Sequence, residues 1–218
     1  MNSSSSLYVH EIFYSLQGES TRMGCPTFFI RLTGCNLRCS YCDTQEAYQK
    51  GQWMTGADIT QNLSLEKTPY VCVTGGEPLQ QKEALLPFLH HLCQKSYLVS
   101  LETNGSLSCQ DIDHRVKILL DVKTPSSQEA PSFYLQNLDI VPPSTEIKFV
   151  IGSTEDFDWA ESFCKKNKLF QKFTVLYSPC APHVTAPWLA EKILTSFSSA
   201  RLQVQLHKTL WPHAKGGV

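Results

Sequence analysis

Short apolar runs recur along the chain with polar breaks between them: PTFFIRLT (26–33), PYVCVT (69–74), YLVSLE (97–102), VKILLDV (116–122), TEIKFVI (145–151), KFTVLY (172–177) and RLQVQLH (201–207). Their length and their Val, Ile, Phe and Tyr content predict strands. Segments with helical spacing separate several of them, at 57–66, 79–95, 154–168 and 186–198. In EDFDWAESFCKKNK, Phe157, Trp159, Ala160, Phe163 and Cys164 fall on one helical face. Lys165, Lys166 and Lys168 gather near its C-terminal end, where the helix dipole favours cations. Leu85, Leu86, Leu89 and Leu92 share that spacing, but Pro87 within the run predicts a kink or a delayed start.

Alternating strands and helices predict an α/β fold on a mostly parallel sheet with right-handed crossovers. Small and polar residues collect after the strands, in TGGEP (74–78), ETNG (102–105), DVK (121–123) and YSPC (177–180). Barrel-type α/β proteins build their sites at those carboxyl ends, and about six βα units are too few to close a barrel. The expectation is an incomplete TIM-type barrel with a lateral mouth. Residues 1–6 read as a flexible tail and 7–218 as a single domain, with KTPSSQEAPS (123–132) as a loop.

The 218 residues are 42 % hydrophobic and 18 % charged, enough for one sizeable core. A formal net charge of -1 gives no basic field for direct nucleic-acid or anionic-membrane binding. No apolar run approaches the ~20 residues of a membrane span, and MNSSSSLYVHEIF lacks the basic and apolar regions of a secretory signal. Nine cysteines, six of them scattered singly, argue against a disulfide framework and for a reducing, cytoplasmic setting.

The other cysteines change the picture. RLTGCNLRCSYCDTQEAY (31–48) carries Cys35, Cys39 and Cys42 in a C-x3-C-x2-C spacing. Structural zinc wants four closed ligands and usually two separated pairs; no second pair exists, and Cys25 precedes a strand that runs away from it. A [4Fe–4S] cluster held by three thiolates keeps one iron open for chemistry.

With this spacing, with Tyr41 before the last cysteine and with TGGEP one strand and one helix downstream, the chain resembles the radical S-adenosylmethionine superfamily. YSLQGE (14–19), FIRLTGC (29–35), CDT (42–44), TGGEP and QLHKTLWPHAKGGV narrow the likeness to the 7-carboxy-7-deazaguanine synthases of queuosine and 7-deazapurine biosynthesis. That resemblance implies a carbon–nitrogen lyase that converts 6-carboxy-5,6,7,8-tetrahydropterin to 7-carboxy-7-deazaguanine and ammonia. The implied cofactors are a [4Fe–4S] cluster on Cys35, Cys39 and Cys42, S-adenosylmethionine, and Mg²⁺. The implied partners are the small pterin, a reducing protein such as flavodoxin or ferredoxin, and a second copy of the chain in a homodimer.

The resemblance places S-adenosylmethionine against Tyr41, Cys42, Asp43, Gly75, Gly76 and Glu77, with Glu77 accepting from the methionyl amine. Asp121, Val122 and Lys123, and Ser178, Pro179, Cys180 and Ala181, are the expected contacts around its sugar. There the chain departs from the family's Ser-Pro-Lys and Gln-Pro. Thr44 is the expected Mg²⁺ ligand, a hard oxygen that suits an ion keeping several waters. Substrate falls to Leu16, Gln17, Gly18, Glu19, Arg31, Thr74, His207 and the terminal carboxylate of Val218, with Glu102 and Asn104 lining the same cavity or forming a plain turn. Glu19 offers two parallel acceptors that match the 2-amino and ring N–H donors of a pterin, or else is a solvated strand-end carboxylate. Arg31 interrupts the apolar run FFIRL and needs an anion, either the substrate carboxylate or Glu11 or Glu19. A radical activase acting on a protein glycine and a non-catalytic metal-binding module are the competing readings.

Overall fold

The computed structural model describes residues 6–213; Val218 lies outside them. The chain opens with two strands, β1 (Ser6–Leu16) and β2 (Pro26–Leu32), followed by the cysteine loop, β3 (Gln52–Thr55) and α1 (Gly56–Gln61). Then come β4 (Tyr70–Gly75), α2 (Lys82–Gln94), β5 (Leu98–Thr103), β6 (Lys117–Val122), α3 (Asn137–Ile140), β7 (Glu146–Ile151), α4 (Thr154–Lys166) and α5 (Leu169–Lys172). The chain continues through β8 (Thr174–Pro179), α6 (Ala186–Thr195), β9 (Arg201–Leu202) and α7 (Leu206–Leu210).

All nine strands form one sheet in the order β3-β1-β2-β4-β5-β6-β7-β8-β9. From β2 to β9 every pairing is parallel, whereas β1 runs antiparallel to both β2 and β3. β3 and β9 remain as edges, so the barrel is incomplete, as the sequence predicts.

The period of two along each strand separates the core from the site. Phe28, Ile30 and Leu32 of β2, Val71 and Val73 of β4, and Ile147, Phe149 and Ile151 of β7 all enter the hydrophobic core. There they meet Leu85, Phe88, Leu89 and Leu92 of α2 and Phe157, Ala160 and Cys164 of α4. Each such fully buried large side chain stabilises the fold by roughly 1.5–3 kcal/mol. The alternate positions, Arg31, Thr74, Glu102, Asp121, Lys148 and Ser178, line the inside of the curl.

Residues 17–25, between β1 and β2, close the amino-terminal end of the barrel. Arg22 donates to the Leu98 carbonyl at 2.8 Å, at the start of β5. The Thr21 N–H donates to Glu146 at 3.0 Å, at the start of β7, and Lys117 at the start of β6 pairs with Glu146 at 2.6 Å. This plug carries Gln17 and Glu19 to the cavity floor.

Several sequence expectations need correction. β1 was not predicted; only Leu7 and Val9 of its eleven residues are buried, so its pattern lacks a clean alternation. It takes in Ser6, which the sequence assigns to the tail. RLQVQLH is a strand only at Arg201–Leu202; from Gln205 onward it turns back over the barrel mouth and becomes α7. α2 starts at Lys82 after a 3-10 turn at Pro78–Gln81 and runs through Pro87, so the start is delayed.

Candidate functional site

A cavity of about 840 Å³ occupies the barrel interior and opens at the carboxyl ends of the strands. Its rim carries Cys35, Cys39 and Cys42 together with Tyr41, Asp43 and Thr44. The cysteine loop is pinned from three sides. The Gly34 N–H donates to the Ala47 carbonyl at 2.8 Å and the Ser40 N–H to the Ser127 carbonyl at 3.1 Å. The Arg38 N–H donates to Glu129 at 2.7 Å, while its guanidinium bonds the Cys35 and Leu37 carbonyls and stacks over Tyr48. Burial raises the Cys35 pKa, the Leu37 backbone bond notwithstanding. Burial also pushes Cys39 up to about 11, with the Lys123 ammonium opposing. These thiols therefore become thiolates when a positive centre compensates them, which is what iron does.

Cys25 does not line the cavity. It precedes β2, at the far end of that strand from Cys35. Among the described residues no three His, Cys, Asp or Glu side chains are grouped to hold a single metal ion. All nine cysteines are unpaired.

Gly75 and Gly76 have a local reason to be glycine. A Cβ on Gly75, whose φ is +157, would lie 2.3 Å from the Leu32 carbonyl oxygen. One on Gly76 would lie 2.1 Å from the Gly34 carbonyl oxygen and 2.8 Å from the Cys35 Cβ. The double glycine thus lets the end of β4 pass against the cysteine loop, and both residues still border the cavity. Glu77 differs from expectation. It is fully buried and absent from the cavity wall, and its carboxylate accepts from the Leu79 N–H at 2.9 Å, the Thr103 hydroxyl at 2.8 Å and the Asn104 N–H at 2.7 Å. Burial raises its pKa against those bonds. It fastens TGGEP to ETNG from behind. Val122 is likewise a core side chain, so only its backbone is on offer to the cavity.

Asp121, Lys123, Ser178, Pro179, Cys180 and Ala181 all border the cavity. Burial would raise the Asp121 pKa, but the Lys123 and Lys148 ammonium groups outweigh it and hold it below the usual carboxylate range. Its Oδ1 faces the Lys123 ammonium at 3.0 Å without an aligned hydrogen bond. Asn104 donates to the Asn36 side chain at 3.3 Å and approaches the Cys35 sulfur at 3.9 Å.

On the floor, Leu16, Gln17, Gly18 and Glu19 border the cavity beside Arg31, Thr74 and Glu102. Glu19 is buried, not a solvated strand end. Its Oε2 accepts from the Lys148 ammonium at 2.5 Å and its Oε1 from the Gln205 amide at 2.7 Å. Lys148 also reaches Asp121 Oδ2 at 3.1 Å. Glu102 accepts from the Thr74 hydroxyl at 2.9 Å and the Gln17 amide at 3.3 Å; burial and then the Glu19 charge raise its pKa. Arg31 pairs with Glu11 at 2.8 Å and lies over the Phe13 ring.

The C-terminal segment spans mouth and floor. The Leu206 N–H donates to the Gly18 carbonyl at 3.0 Å, and the His207 ring packs where a Gly18 side chain would be, at 2.2 Å from its Cβ position. Lys208 pairs with Asp43 at 2.7 Å. Burial raises and the Lys208 ammonium lowers the Asp43 pKa, which ends at about 2. Burial lowers that of His207. Sequence reasoning missed Lys148 and Gln205. Lys148 carried the same signal as Arg31, a lone cation inside an apolar strand; Gln205 carried none.

Comparison with known protein families matches residues 29–169 to the radical SAM superfamily. A curated 7-carboxy-7-deazaguanine synthase of Koribacter versatilis is 37% identical over 96% of this chain and 100% of its own length. One from Methanospirillum hungatei is 40% identical over 94% of this chain and 86% of its own. The chain belongs to the 7-carboxy-7-deazaguanine synthase family. The crystal structure of QueE from Escherichia coli has the same fold, with a TM-score of 0.76 at 21% identity over 92% of this chain and 94% of that one. As a radical SAM enzyme, this family member works with a [4Fe–4S] cluster and S-adenosylmethionine. The residues fit those groups: three unpaired thiols stand together at the mouth of one cavity of about 840 Å³. No helix among the described residues is long and apolar enough to cross a membrane.

Proposed function

We propose that this chain contracts the ring of 6-carboxy-5,6,7,8-tetrahydropterin to give 7-carboxy-7-deazaguanine and ammonia. The observation that carries the reading is one cavity with three thiols at its mouth and the Glu19 carboxylate on its floor. When bound, the cluster and S-adenosylmethionine supply reductive carbon–sulfur cleavage and a carbon radical that takes a substrate hydrogen. Everything else falls to the chain's own side chains.

Cys35, Cys39 and Cys42 hold the cluster, and Tyr41, Asp43, Gly75, Gly76 and the backbone at 121–123 and 178–181 enclose the cofactor. Glu19 accepts the 2-amino and ring N–H donors of the pterin; Gln17 and the Gly18 backbone border the same edge. Arg31, already turned into the cavity beside Glu11, offers its remaining N–H groups to the substrate carboxylate. The Thr44 hydroxyl donates to Asp43 at 3.1 Å, which leaves its lone pairs for Mg²⁺. Water completes the shell of such an ion. Thr74, Glu102 and Asn104 line the space between, and His207 covers it. A small reducing protein of the flavodoxin or ferredoxin type delivers the electron, and the working unit is a homodimer in the cytoplasm.

The test is anaerobic incubation of the reconstituted, reduced protein with this pterin and S-adenosylmethionine, with and without Mg²⁺. The expected result is the deazaguanine by mass, accelerated by Mg²⁺. Fully clustered protein that forms none would remove the substrate assignment and leave superfamily membership intact.

A further inference from the structure

We propose that Lys148 is a positioning residue for substrate recognition: its ammonium, shared between Glu19 and Asp121, holds the Glu19 carboxylate where both of its oxygens read the donor edge of the pterin. The inference rests on the role given to Glu19 above.

The placement follows from strand period. Glu146, Lys148 and Val150 of β7 point into the barrel while Ile147, Phe149 and Ile151 point into the core. Asp121 is the register partner of Lys148 on β6. Lys148 is 8% exposed, and its ammonium lies 2.5 Å from Glu19 and 3.1 Å from Asp121. Burial disfavours its charge, but Asp121, Glu19 and Glu102 together keep it firmly protonated.

Stability alone is a weak reason for such a group. A buried ion cluster replaced by well-packed apolar side chains is often neutral or stabilising, and the helix-facing core is already wholly apolar at the neighbouring positions. Geometry gives a better reason. Lys148 takes one lone pair of Oε2 and Gln205 one of Oε1. A carboxylate oxygen has two acceptor directions, so each retains one for a ligand. Adjacent N–H donors on a 2-amino pyrimidinone ring match that pair. Among the described residues, removing the ammonium leaves the Gln205 amide as the sole side-chain donor to Glu19, with the Glu102 charge still felt nearby. The carboxylate then turns away from that neighbour, and the paired acceptors are lost.

The experiment uses reconstituted enzyme with S-adenosylmethionine. KM and kcat are measured for the 6-carboxytetrahydropterin and for its analogue with an oxo group in place of the 2-amino group. In K148M the pterin KM rises roughly tenfold or more, kcat falls far less, and preference over the oxo analogue shrinks by the same factor. In an E19Q background the same change adds less than about twofold, because the lysine acts through a carboxylate already gone. Iron content and melting temperature monitor folding; if K148M does not fold, K148Q, which keeps donors without charge, makes the same comparison. Unchanged KM and discrimination in a folded variant, or an equal loss with and without Glu19, overturns the inference alone. Wild-type enzyme that fails to bind the pterin overturns the reading of Glu19 as well.

Discussion

At the mouth of the cavity Cys35, Cys39 and Cys42 come from one short loop, whereas the setting of Glu19 on the floor is gathered from four separate stretches. Glu19 meets Lys148 across 129 positions and Gln205 across 186. The mouth's cysteines lie close in sequence and their loop is pinned by Ala47, Ser127 and Glu129 and by glycines that let β4 slide against it; the setting of Glu19 exists only once β6, β7, the plug and the C-terminal segment are all in place. In the proposed function the mouth holds the chemistry common to a superfamily and the floor chooses the substrate. Damage at the two places should therefore have different signatures.

The largest effect is expected from Cys39→Ala, which removes a thiolate from the cluster. Iron should fall and both S-adenosylmethionine cleavage and ring contraction should vanish, as read by iron analysis and product assay. Cleavage surviving at wild-type rate would break the assignment of the mouth. Next comes Gly76→Ala. Its Cβ would sit 2.1 Å from the Gly34 carbonyl oxygen, and overpacking of that kind costs about 1–3 kcal/mol. Denaturant unfolding should show that loss, together with poorer iron loading because the displaced backbone is the cluster loop itself.

Thr44→Ala sharpens the comparison, since Thr44 shares the rim with the cysteines and yet is the proposed Mg²⁺ ligand. The Mg²⁺ concentration for half-maximal rate should rise roughly tenfold, about 1.4 kcal/mol, while cofactor cleavage persists. Lys208→Ala is the mildest. It breaks an ion pair whose members are about half exposed, so the stability change should stay within about 1 kcal/mol in a thermal melt and shrink further in high salt.

This contrast also explains what the sequence could tell. The six long parallel strands, helices α1, α2, α4 and α6 and the three cysteines are local patterns, and each was readable from period or spacing. The same holds for Arg31, a cation in an apolar strand. β1 escaped because two antiparallel neighbours and a plug, not a buried face, hold it. Glu77 reads as a ligand residue from its motif, and its carboxylate also accepts from Leu79, Thr103 and Asn104. No spacing rule reports which partner a buried carboxylate finds. Gln205 sits in what reads as a strand, and only the turn of the chain over the barrel brings its amide to Glu19.

The most direct measurement is made on fully clustered Glu19→Gln, following uncoupled S-adenosylmethionine cleavage and deazaguanine formation in the same anaerobic sample. Cleavage that persists at near wild-type rate while deazaguanine formation drops at least tenfold is the predicted result. Deazaguanine formed at the wild-type rate, or both activities lost in equal measure, would contradict a floor that chooses the substrate independently of the mouth.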